Sequence, residues 1–282
     1  MSVFRVSLVR CLVMASFIQT ESSIDHPGFT THKNYTAFMR EVSNDLKLKY
    51  NCDTSKKLNI PESVTRKVRL INLTVRNLEM EVRMVSAYPE YAQVAISWMP
   101  VKSYYLIFNL TLLLEYLISN NPAFLTASHL NSLKQFRSLL HNRTLEFSND
   151  IFNLFKTGEE IEKMKVPKSD NLRAHTEKRK EQIFRKLADY SRDFLRRRDK
   201  VSRLHKRQID EFRKSQFILS EFFYWYRIKV NYRDLEFLSA QVHPSEFVQF
   251  YNDYYLLTRN FYRAYISCIN QVSLSRADSK LF

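Results

Sequence analysis

Glycine is nearly missing from this chain. Its 282 residues hold two, Gly28 and Gly158. Sheet-rich folds need many tight turns, and turns with positive φ lean on glycine. The scarcity argues for long helices joined by few loops, and it excludes every glycine-rich phosphate loop. Cysteine is also sparse: Cys11, Cys52 and Cys268 make neither a disulfide framework nor a zinc site. No metal and no cofactor is therefore expected, and a reducing, cytoplasmic setting is the simplest one. The sequons at Asn34, Asn72, Asn109 and Asn142 would matter only after secretion.

Long uninterrupted hydrophobic runs are lacking too. At the N-terminus, Arg5 leads an apolar run that Arg10 interrupts, leaving Cys11 to Ile18, which is short for a signal peptide. A packed or frayed helix is expected there. The segment Tyr104 to Ile118 contains Asn109 and Glu115 and is too short to span a bilayer, so no membrane partner is expected. Negative charge falls short of positive: 29 Asp plus Glu face 44 Lys plus Arg, a formal charge of +15. That imbalance favours a polyanionic partner such as RNA.

What the chain does have is apolar residues in helical rhythm. They make up 45% of it, enough for a core. Residues 1–60 read as a weakly defined lead-in. Residues 61–162 form the first part of a bundle. Pro61 and Glu62 suit a first helical turn, and Val68, Ile71, Val75, Leu78, Val82 and Val85 give one continuous stripe. Pro100 is expected at the first position of a second helix, ended by Asn120-Asn121-Pro122. Ser128 is expected to cap a third helix and Ser148 a fourth.

Composition then shifts. Residues 163–214 hold 19 Lys plus Arg and 8 Asp plus Glu, so most of the net charge lies here. Ile183, Leu187, Tyr190 and Phe194 keep helical spacing within it, which predicts a basic amphipathic helix. That helix is either a solvated excursion or a nucleic-acid surface, with Arg196, Arg197, Arg198, Lys200, Arg203, Lys206 and Arg207 as the binding cations. Residues 215–272 complete the bundle, with one helix from about Phe212 to Asn231 and another from Ser245 to Val272. Residues 273–282 read as a tail. The fold class is all-α: a helical bundle with a basic helical insertion.

The stretch FFYWYRIKVNYRDLEFL, Phe222 to Leu238, joins the greasiest segment directly to a polar cluster. Either a helix leaves the core there, or a polar site is built against the core. The order of elements resembles the HEPN superfamily of small helical bundles over roughly residues 65–160 and 215–270. The resemblance rests on Trp98-Met99-Pro100-Val101-Lys102-Ser103-Tyr104-Tyr105 and on Arg227-Ile-Lys-Val-Asn231-Tyr232-Arg233-Asp234. It implies RNA binding, a metal-independent ribonuclease of a toxin–antitoxin or phage-defence system, a homodimer, and a cognate antitoxin or defence partner protein. It places Arg227 at the family's arginine and Tyr232 where a histidine is usual, with Asn231 and Asp234 as polar neighbours. Tyrosine, with a pKa near 10, is a poor base at neutral pH, which counts against cleavage. A literal Arg-to-His match, Arg198 with polar Asp199 and then His205, lies in the basic segment and is a second choice. Arg137 and His141, one helical turn apart, read as a surface pair. The rival reading is a non-enzymatic helical interaction or nucleic-acid-binding module.

Overall fold

The computed structural model describes residues 27–51, 57–58, 60–164, 176–233, 242–277 and 280–282. Nine α-helices carry the described chain, with two short two-stranded ladders between them. The all-α bundle expected from the glycine count is what forms.

Helix α1, Pro27–Val42, occupies part of the expected lead-in. Phe29, Tyr35, Phe38 and Met39 are buried, and α1 packs on the last helix, so this stretch belongs to the core. Strand β1, Leu48–Tyr50, pairs antiparallel with β2, Leu145–Phe147. Helix α2, Glu62–Ala87, follows Pro61 at its N-cap. Its apolar stripe faces inward as the spacing predicts, with Ile71, Leu78 and Val85 fully buried.

Helix α3 runs from Tyr91 to Ser119, and Pro100 lies inside it. The expected start at Pro100 is corrected. Proline in a helix interior costs about 3 kcal/mol through a lost hydrogen bond and a ring clash. Upstream of it Ala92, Ala95, Ile96 and Met99 are all buried, and their burial offsets that cost. Helix α3 is long and apolar enough to cross a membrane by length and composition, but 67% of its most apolar window is buried inside the bundle. It ends where Asn120 turns left-handed at φ 56°.

Ser128 caps α4, His129–His141, accepting from the Asn131 amide at 3.4 Å. The helix expected from Ser148 is instead a 3-10 turn, Asp150–Phe152, capped by Asn149. Strand β3, Lys156–Thr157, leads into α5, Gly158–Lys163. The basic segment supplies α6, Thr176–Arg198, and α7, Lys206–Lys214. Ile183, Phe184, Leu187 and Ala188 are fully buried, so α6 is part of the bundle and not a solvated excursion.

The single helix expected from Phe212 to Asn231 is two. Strand β4, Gln216–Phe217, pairs with β3 and breaks the run. The break depends on Gly158, whose amide donates to the Ser215 carbonyl at 2.9 Å. A Cβ there would sit 2.2 Å from the Phe212 carbonyl oxygen. A 3-10 turn, Leu219–Glu221, then delivers α8, Phe222–Arg233. Helix α9, Pro244–Ala277, makes its most extensive contact with α3 and extends past the expected end at Val272. His243, not Ser245, supplies its cap, accepting from the Ser245 amide at 3.3 Å. Past α9, the amides of Leu281 and Phe282 donate to the Asn270 side chain at 3.2 and 3.1 Å.

Candidate nucleic-acid interface

The aromatic run at the start of α8 is core. Phe222, Phe223, Trp225 and Tyr226 are buried, and Phe223 meets Phe261 of α9 edge to face at 5.1 Å. One turn on, Arg227 is half-buried. Its guanidinium carbon lies 4.5 Å from the Tyr104 ring centroid, 5.6 Å from Tyr105 and 5.7 Å from Tyr224. Its Nη1 donates to the Tyr105 hydroxyl at 3.3 Å. Three ring faces attract a cation and fix the plane of the guanidinium.

His129, the first residue of α4, enters the same cluster. Its Nδ1 lies 2.5 Å from the Tyr104 hydroxyl. Its ring sits 4.3 Å from Phe108, 5.4 Å from Tyr104 and 5.9 Å from Tyr105. Arg227 and His129 therefore share the same two tyrosines from opposite elements. Burial, and then the Arg227 charge, hold the imidazole below its ordinary pKa. The partial positive charge at the start of α4 acts in the same direction. Burial pushes the Tyr104 phenol well up, so it stays protonated at neutral pH. The result is a fixed cation beside a neutral imidazole, with Tyr104 engaging the imidazole Nδ1.

Buried polar groups beneath hold the two elements in register. Glu221, just before α8, forms an ion pair with Arg137 of α4, whose Nη2 donates at 2.8 Å. The Trp225 indole donates to the same carboxylate at 3.1 Å. Arg137 is thus a half-buried tether to Glu221 and not a surface partner of His141, which instead packs edge to face on Phe155. A cavity of about 30 Å³ lies between these helices, lined in part by Tyr104, Phe108, Ser132 and Tyr224. Nearby, the Ser132 hydroxyl meets both oxygens of Glu115 at 3.2 and 3.1 Å. Burial raises that carboxyl to about 8.

The other expected site residues fall elsewhere. Asn231 and Tyr232 belong to the last turn of α8, and their side chains lie outside the described part. Since the helix continues through position 232, that position is about 140° round from Arg227. Asp234 lies outside the described residues. Arg198 is not brought to His205. It pairs with Asp199 at 2.9 Å and with Glu211 at 3.1 Å. His205 instead opens α7, its amide donating to the Gln208 side chain at 2.7 Å. The remaining cations gather at the turn between α6 and α7, where Lys200, Arg203, Lys206 and Arg207 are exposed. Arg196 is within 3.4 Å of Asp193, and Arg197 is half-buried.

Sequence reasoning missed His129. The signal available was a histidine directly after a helix-capping serine, and nothing in the sequence linked it to Arg227. The motif residues Trp98 to Tyr105 lie in the middle of α3, not at a helix start, yet they deliver both tyrosines to the site. No protein-family model, curated protein or solved structure matches the chain.

Proposed function

We propose that this protein binds RNA and cleaves it without a metal ion, using Arg227 to hold a phosphate and His129 to move protons. One observation carries the reading: a guanidinium and a neutral imidazole converge on the rings of Tyr104 and Tyr105 at a half-exposed surface. The resemblance to the HEPN superfamily at Arg227 supports the same assignment, with His129 in the role its motif gives to a nearby histidine. Neutral His129 takes the proton of an RNA 2′-hydroxyl. The 2′-oxygen forms a bond to phosphorus, Arg227 stabilises the added charge, and the bond to the 5′-oxygen breaks. The proton on His129 passes to that oxygen, leaving a 2′,3′-cyclic phosphate and a free 5′-hydroxyl.

A second reading follows from the exposed cations at the α6–α7 turn: nucleic acid held there with no cleavage. Purified protein incubated with mixed RNAs separates the two. Cyclic-phosphate ends lost in His129→Ala, with binding retained, support cleavage. Binding without cleavage, lost when Arg203, Lys206 and Arg207 become Gln, supports the second reading. In that case the salt slope of binding should flatten by about 0.7 per phosphate contact removed on a single strand. An absence of RNA binding rejects the first reading, and an absence of binding to any single-stranded nucleic acid rejects both.

A further inference from the structure

Two large aromatic side chains of α3 point out of the core. Trp98 is 59% exposed and Tyr105 is 41% exposed, although residues on either side of them, Ala95, Met99, Tyr104 and Leu106, are buried. Tyr105 lies seven positions after Trp98, so they share one face of the helix at about 10.5 Å along its axis. Tyr105 is not a free surface ring. Its hydroxyl accepts from Arg227, and its ring is held edge to face by Tyr104 at 5.4 Å and by His129 at 5.9 Å. An exposed ring held on several sides, next to a fixed cation, is pre-organised to receive a flat ligand.

We infer that Trp98 and Tyr105 form a stacking platform for the bases of single-stranded RNA, with the intervening backbone directed to Arg227. The inference rests on the RNA reading above and adds the form of RNA. Paired bases in an A-form helix keep their faces stacked on one another, so only an unpaired strand can offer them to protein rings. Ring stacking beside a cation is how single strands are held without sequence preference. The +15 charge of the chain favours the same polyanion over an apolar partner.

The chain has two tryptophans, and the other, Trp225, is buried. Contact quenching of the intrinsic fluorescence by a base therefore reports on Trp98, over a constant background from Trp225. Titration with a short single-stranded oligouridine should quench the emission, and a duplex of matched length should quench it far less. Trp98→Ala should weaken oligouridine binding about tenfold, Trp98→Phe should restore most of it, and neither should change the helical circular dichroism. Should Trp98→Ala bind oligouridine like the wild type while Arg227→Ala does not, the platform is wrong and the RNA reading stands. Should no variant alter binding because no RNA binds, both fall. Preference for the duplex, or a concentration-dependent dimer that Trp98→Ala abolishes without touching RNA affinity, also overturns the platform.

Discussion

The guanidinium of Arg227 stands 4.5 Å over the ring of Tyr104, whose own hydroxyl contacts His129 at 2.5 Å. One phenol thus links the cation and the imidazole. Substitution of Arg227 by Lys tests whether planar geometry matters. A lysine keeps the charge but loses the fork that stacks on the rings and bonds Tyr105. RNA affinity should fall in Arg227→Lys nearly as far as in Arg227→Ala. Thermal unfolding should shift by only a few degrees in either, because cation–π contacts of a half-buried guanidinium are worth about 1 kcal/mol each. A lysine variant with wild-type affinity would reduce the site to a point charge.

Glu115 makes stability depend on pH in an unusual direction. Its folded-state pKa is raised to about 8 from the ordinary value of 4.5, chiefly by burial. The folded state therefore holds a proton that the unfolded state has lost. Stability from this group is full below about pH 4.5 and declines as pH rises toward 8, by on the order of 3–5 kcal/mol. Glu115→Gln keeps a hydrogen-bonding partner for Ser132 and removes the titration. Denaturant midpoints measured at pH 5.5 and 8.5 should converge for the variant and diverge for the wild type. Equal divergence in both would show that another group is responsible.

Glu221 is a buried carboxylate paired with the half-buried Arg137. Arg137→Ala leaves the Glu221 carboxylate enclosed with, among the described residues, the Trp225 indole as its neutral donor. The expected loss is about 3–5 kcal/mol in chemical denaturation. Replacing both residues, Arg137→Met with Glu221→Gln, should recover much of it, since no uncompensated charge remains. A small loss in the single variant would mean that water reaches the carboxylate.

Much of the fold could be read in advance where one physical signal acts alone. The stripe from Val68 to Val85 predicts α2, and the Ser128 cap predicts α4. Pro100 misleads because proline suits a helix start, while the decisive term is the burial of residues before it. Helix α1 is hidden because Pro27 and Gly28 at its entrance are residue types that favour turns. The site divides in the same way. Arg227 stands out because it directly follows an aromatic run. His129 lies about a hundred residues earlier and joins it only through tertiary packing of α4 on α3. Arg198 and His205 match a pattern in one dimension, but local carboxylates at Asp199 and Glu211 bind the arginine first.

The guanidinium of Arg276, in the last turn of α9, reaches the Leu117 carbonyl and, at 2.6 Å, the Ile118 carbonyl at the end of α3. The Arg276 carbonyl in turn accepts from the Leu58 amide at 2.7 Å. A ribosome delivers these parts in the opposite order to their need. The α3 end and the segment before α2 emerge long before the residue that seals them. Until α9 has left the exit tunnel, the most apolar helix among the described residues lacks its most extensive partner and has only α2, α4 and α8 to cover it. Closure of the bundle around α3 therefore waits for α9, whatever part of the chain has folded before it.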